Sequence, residues 1–91
     1  MEITFDPAKN ERNRRERRLG FPEAADFDFA SANYEREERN GEHRVVAVGY
    51  LKKRLHVLCF IPTRNGIRVI SFRKANDREA RKHGKPKTID G

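Results

Sequence analysis

Three β-rich runs, RVVAVGYL (44–51), RLHVLCFI (54–61) and IRVISFR (67–73), are joined by only two and five residues. Nothing else in the chain constrains its fold as strongly. Branched and aromatic side chains fit a pleated, half-buried surface, and connections this short can join only antiparallel neighbours. Lys52-Lys53 is then one hairpin tip. PTRNG (62–66) is the second, with Asn65-Gly66 as its turn because both residues tolerate positive φ. The expected core is an antiparallel sheet with this three-stranded meander at its C-terminal end. Strict alternation along the last strand puts Arg68, Ile70 and Phe72 on one face and Ile67, Val69, Ser71 and Arg73 on the other.

The flanks read as helices. EITF (2–5) can form a short strand, and Asp6-Pro7 is a helix start, with Asp as N-cap and Pro at the first turn. The stretch AKNERNRRERRL (8–19) favours helix but is almost wholly polar. It offers the core only Ala8, Leu19 and the alkyl stem of Arg15, with Glu11 and Arg15 at ion-pair spacing and Gly20 as a left-handed stop. Pro22 opens a second helix, PEAADFDF, facing inward through Phe21 and Ala25 or through Ala24 and Phe27. Residues 31–43 show no pattern beyond strand-like Asn33-Tyr34 and a turn at Asn40-Gly41, and read as a mobile loop. NDREARKH (76–83) is a C-terminal helix closed by Gly84 and Pro86. The expectation is one α+β domain over residues 1–84, with two N-terminal helices and a C-terminal helix on one sheet face. Residues 85–91 are expected to be a flexible tail.

The formal charge is +7 and unevenly placed: −2 over residues 1–40, +4 over 41–67 and +5 over 68–91. Such asymmetry favours an anionic partner, of which a nucleic-acid backbone is the commonest. No Leu- or Trp-rich amphipathic helix carries the charge, which argues against a membrane surface. Absence of a long apolar run or a signal-peptide core points to a cytoplasmic location. Cys59 stands alone in an apolar run and reads as a small core residue.

Neither a Gly-rich phosphate loop, a metal-binding Cys/His spacing nor a Ser/His/Asp set is present, so no cofactor and no metal are expected. What remains is basic: Arg44, Lys52, Lys53, Arg54, Arg64, Arg68, Arg73, Lys74 and Arg78. Any one of these is an ordinary solvated charge. Arg68 and Arg73 differ, because each interrupts a hydrophobic strand. Arg binds two phosphate oxygens at once and stays charged. RNA carries its own nucleophile in the 2′-OH, so a protein that cleaves it need only move protons and stabilise the phosphorane. Glu79, His83, His56 and a lysine of depressed pKa are the candidates for proton transfer. The same residues have structural readings: Glu79 in a helix-surface ion pair, His56 as a half-buried strand residue, His83 at a fraying helix end. A basic module that binds RNA or DNA without cutting it fits the pattern too, as does a surface covered by an acidic protein partner.

Several segments together resemble a known family. FDPAKNERN (5–13), GFPEAADFDF (20–29), RVVAVG (44–49) and RVISFRKANDRE (68–79) are similar, in order and spacing, to motifs of the BrnT toxins of bacterial type II toxin–antitoxin pairs. The resemblance implies a RelE-like fold and an RNA-cleaving toxin that inhibits translation. It also implies a BrnA-like ribbon-helix-helix antitoxin, through which alone the pair contacts its operator DNA. Carried over by position, the resemblance points to Arg44, Arg68, Arg73, Lys74, Arg78 and Glu79. Together with His83, the catalytic candidates are Arg44, Arg68, Arg73, Arg78, Glu79 and His83. Lys52, Lys53, Arg54, Arg64 and Lys74 are the RNA-binding ones. The chain departs from the family pattern at Phe5, where Trp is usual, at Arg17-Arg18 in place of His-Gly, and at His83 in place of Tyr. Loss of that glycine predicts that the first helix runs on for another turn.

Overall fold

The computed structural model describes residues 1–89. The chain is α+β, with a five-stranded mixed sheet and few helices. Its elements are β1 (Glu2–Thr4), α1 (Pro7–Arg17), a 3₁₀ helix (Phe21–Asp26), β2 (Asn33–Arg39), β3 (Glu42–Leu51), β4 (Arg54–Pro62), β5 (Gly66–Lys74) and α2 (Asp77–His83). The spatial order is β1-β5-β4-β3-β2. β2 to β5 run antiparallel in sequence, whereas β1 pairs parallel to β5, so the sheet is mixed where a wholly antiparallel one was expected.

The predicted loop over residues 31–43 is mostly β2, hairpinned to β3 through Asn40-Gly41. Every residue of β2 is exposed, since α2 reaches it only through side-chain contacts at Asn33 and Glu35, so its sequence carries no apolar alternation. The turn chemistry also differs. Positive φ falls on Lys52 and Lys53, while Asn65 and Gly66 avoid it. Gly66 is required for another reason: a Cβ there would overlap the carbonyl oxygen of Glu2, where β1 lies against β5.

α1 starts as expected, with the Asp6 carboxylate accepting from the Ala8 N–H and Pro7 in the first turn. It ends at Arg17, with Arg18 left-handed at φ 54°, so the helix does not run on and Gly20 is not its stop. Ala8 is exposed. α1 docks instead through amides. The buried Asn13 donates to the carbonyls of Leu19 and Phe72, both at 2.9 Å, and Asn10 accepts from the Phe21 N–H. Asn13 thereby satisfies a carbonyl on the edge of β5 beyond the end of β1. Glu11 pairs with Arg14, not Arg15.

Helices lie on both sheet faces, not one. The 3₁₀ helix brings Phe21, Ala24 and Phe27 onto a core with Ala47, Leu51, Leu58, Phe60, Ile67, Val69 and Phe72. On the opposite face Ala75 and Ala80 of the α2 region cover Val48, Leu55 and Val57. The segment after α2 is hydrogen-bonded as far as Ile89. Lys87 and Lys53 carbonyls accept from Leu55 and Ile89, and the Pro86 carbonyl accepts from the Tyr50 hydroxyl. The rest of the expected tail, residues 90 and 91, lies outside the described residues. No helix among the described residues is long and apolar enough to cross a membrane.

Candidate active site

The decisive local feature is a bulge in β5. Cys59 pairs with Ser71 and Phe60 with Val69, which leaves Ile70 as an extra residue on the bulged strand. Residues 68 and 73 are five apart, so a regular strand would send them to opposite faces. The bulge reverses the alternation once, so Ile67, Val69 and Phe72 share the core face while Arg68, Ser71 and Arg73 share the α2 face. The expected grouping of Ile70 with Phe72 and Arg68 is thereby corrected.

α2 covers only part of its face. Register places Glu35, Val46, Cys59 and Ser71 in one row across the sheet, and Glu37, Arg44, Ile61 and Arg68 in the next. These rows form an open shelf beside α2. Arg68 is exposed, and Arg44 is half-buried and paired with Glu42 at 3.0 Å. Arg44 and Arg68 stand two strands apart, about 10 Å at the usual strand spacing. Burial, reinforced by Glu37, pushes the Cys59 thiol up against the opposing pull of Arg44, so it remains protonated and unreactive.

α2 walls the shelf. Arg73 grips Glu79 through two parallel bonds of 2.8 and 2.6 Å. Glu79 also accepts from the Asn76 N–H, while the Asn76 side chain accepts from the Glu79 N–H, a reciprocal cap that starts the helix. The Arg73 bonds and the cap lower the Glu79 pKa to about 2. One turn on, the His83 side chain is only 10% exposed. Its ring lies 3.4 Å from the Asn33 amide and 3.9 Å from the Glu35 carboxylate, which also binds Lys82. It is held, not frayed. Arg78 is exposed on α2.

Of the remaining candidates, Lys52, Arg54 and Lys74 line a cleft of about 580 Å³ at one end of the sheet, with Arg73 reaching it as well. Arg17 and Arg18 complete its basic wall, and both escaped the sequence reading because they sit in a polar helix with no other functional mark. Arg54 is tied to the carbonyls of Leu55 and Ala75. Lys53 sits beside Lys52 at the hairpin tip. Arg64 is at the other end of β4, about 30 Å away at the rise of an extended strand. His56 is buried, with Nδ1 2.7 Å from the Arg54 carbonyl and its ring beside Phe72. Burial holds its pKa below the usual histidine value.

A family model for the ribonuclease toxin BrnT of type II toxin–antitoxin systems matches residues 5–79. The chain belongs to the BrnT family. No curated protein and no solved structure matches it. As a BrnT toxin it is of the ribonuclease class, which implies an RNA substrate and a cognate antitoxin. The matched span of this BrnT chain includes Arg44, Arg68, Arg73 and Glu79 and ends there, so His83 and the segment that follows α2 lie beyond it.

Proposed function

We propose that this protein is a metal-independent endoribonuclease toxin with a RelE-like domain, cutting RNA on the open shelf beside α2 and thereby inhibiting translation. The 2′-OH gives up its proton as it attacks the neighbouring phosphorus, the P–O5′ bond breaks, and the proton is returned to the departing 5′-oxygen, giving a 2′,3′-cyclic phosphate and a 5′-hydroxyl. Arg68 and Arg44, with Arg73, stabilise the charge on the phosphorane, a contribution that commonly exceeds proton transfer. Glu79 is a poor base because both of its oxygens are engaged by Arg73 and the helix cap. His83, oriented by Asn33 and Glu35, is the proton-transfer group in this reading. A BrnA-like ribbon-helix-helix antitoxin covers the shelf and carries the pair to its operator DNA. In the cell, both act in the cytoplasm.

The single observation that supports this reading is the bulge at Ile70, which puts Arg68 and Arg73 on one face with Arg44. The test is incubation of purified protein with RNA in excess EDTA. Cleavage with cyclic-phosphate ends is expected, and Arg68→Ala, at an exposed position, is expected to abolish it with an unchanged melting curve. RNA left intact by folded wild-type protein refutes the proposal. A non-catalytic basic module would instead retain RNA intact, with steep salt dependence.

A further inference from the structure

The cleft at the end of the sheet is separate from the shelf and touches it only at Arg73. Its wall is basic: Arg17, Arg18, Lys52 and Lys74, against one acid, Glu23. Glu23 is itself engaged, by the Gly20 N–H at 2.9 Å and by Lys52 at 3.6 Å. The floor of the cleft is formed by Leu19, Leu51 and the His56 ring, which are buried and show only their edges to it. At about 580 Å³ the cleft is of the size that holds a small organic ligand.

The backbone gives a second, independent indication. Arg18, Lys52 and Lys53 have φ of 54°, 49° and 67°, conformations that favour Gly or Asn. Each long side chain placed there costs roughly 1 kcal/mol relative to glycine. Two of these, Arg18 and Lys52, line the cleft and carry a positive charge, and Lys53 is the next residue along the same hairpin tip. Backbone strain concentrated where charge is needed is the pattern of a binding site.

We infer that the cleft is a mononucleotide subsite: it takes one nucleotide of the RNA strand, its phosphate among Arg17, Arg18, Lys52 and Lys74 and its base against Leu19, Leu51 and His56. This rests on the reading of the protein as an RNA-cleaving toxin and extends the strand's path from the shelf, past Arg73, to the sheet's end. The neutral His56 ring, bonded through Nδ1 to the Arg54 carbonyl, adds a flat surface without adding charge.

The test is titration of the full chain with each of the four nucleoside 5′-monophosphates, followed by NMR, with inorganic phosphate in parallel. Saturable binding is expected, with shifts at the Leu19 and Leu51 methyls and the His56 ring. Inorganic phosphate should bind about tenfold more weakly, since it lacks the apolar part. The double substitution Lys52→Gln with Lys74→Gln should weaken nucleotide binding about tenfold or more with an unchanged melting temperature. No saturable nucleotide binding, phosphate binding as tight as nucleotide, or shifts confined to Arg44 and Arg68 would each overturn the inference. The titration involves no cleavage. RNA cut normally by a protein whose cleft binds no nucleotide therefore defeats the subsite alone, and intact RNA with an occupied cleft defeats the ribonuclease reading alone.

Discussion

Arg73 and Glu79 are joined fork to fork, Nη1 to Oε1 at 2.8 Å and Nη2 to Oε2 at 2.6 Å, so the arginine at the head of α2 is neutralised by its own chain. The pair ties the last turn of the sheet to the first turn of the helix, since the same carboxylate caps α2 through the Asn76 N–H. It also means that a phosphate approaching Arg73 competes with a carboxylate already in place. In the free protein, Arg68 is the more accessible partner, since Arg44 is half-buried and paired with Glu42.

Glu79→Gln separates the structural role from the electrostatic one. The amide keeps the size and one accepting oxygen, but loses the charge that Arg73 grips. Stability should fall by about 1–2 kcal/mol in urea denaturation, the value of a charge-assisted pair with partial access to water. RNA affinity should rise several-fold at low salt, because one anion is removed beside the shelf and one guanidinium is released. A fall in affinity would show that Glu79 assists RNA binding and does not restrain Arg73.

The same pair predicts how stability responds to acid. The folded-state pKa of Glu79 is depressed from 4.5 to about 2. The unfolded chain therefore takes up the proton first, and the stabilisation, complete above pH 4.5, is lost as pH falls toward 2. Its size is on the order of 2 kcal/mol after allowing for solvent access. Urea midpoints measured across this range should drop in the wild type and drop less in Glu79→Gln. Parallel curves would show that other carboxylates govern the acid limb.

Arg18→Gly should stabilise the protein. Arg18 closes α1 at φ 54° with its N–H bonded to the Arg14 carbonyl, a position that suits glycine. The gain should be about 1 kcal/mol, read as a higher urea midpoint. The same substitution should weaken nucleotide binding in the cleft, a trade between stability and charge. An unchanged or lower midpoint would mean that the Arg18 side chain contributes packing that offsets its backbone strain.

Asn13→Leu should cost about 2–4 kcal/mol, since the Leu19 and Phe72 carbonyls both lose their donor at a buried position. Thermal denaturation measures this directly. A loss under about 1 kcal/mol would mean that water reaches both carbonyls and that α1 is held chiefly by Asn10 and Phe21.

The fold was readable where local chemistry and tertiary packing agree. The β-rich runs of β3 and β4, the Asp6-Pro7 start and the Asn40-Gly41 turn are each specified by neighbours in sequence. β2 was not readable, because a strand exposed on both faces needs no apolar pattern and is held by the ladder to β3. The bulge at Ile70 was hidden for the opposite reason: the residue is apolar, so an unbroken strand explains it equally well. Asn65-Gly66 misled because Gly66 serves the close approach of β1, a contact with a partner over sixty residues away. At the site, the cationic residues were visible singly. The Arg73–Glu79 fork and the meeting of Arg17 and Arg18 with Lys52 depend on where helix ends dock, which charge counting cannot supply.

His83 provides the sharpest test of chemistry on the shelf. Its ring is mostly buried and faces Asn33 and Glu35, so it is fixed in place in a way that a fraying last turn would not produce. If it moves the proton, His83→Gln should lower the cleavage rate by roughly 10²–10⁴-fold while RNA affinity changes little. Single-turnover cleavage, with binding measured separately, checks both. A variant that cuts within a few-fold of wild type would assign His83 to fastening α2 against β2 and return the proton transfer to another group.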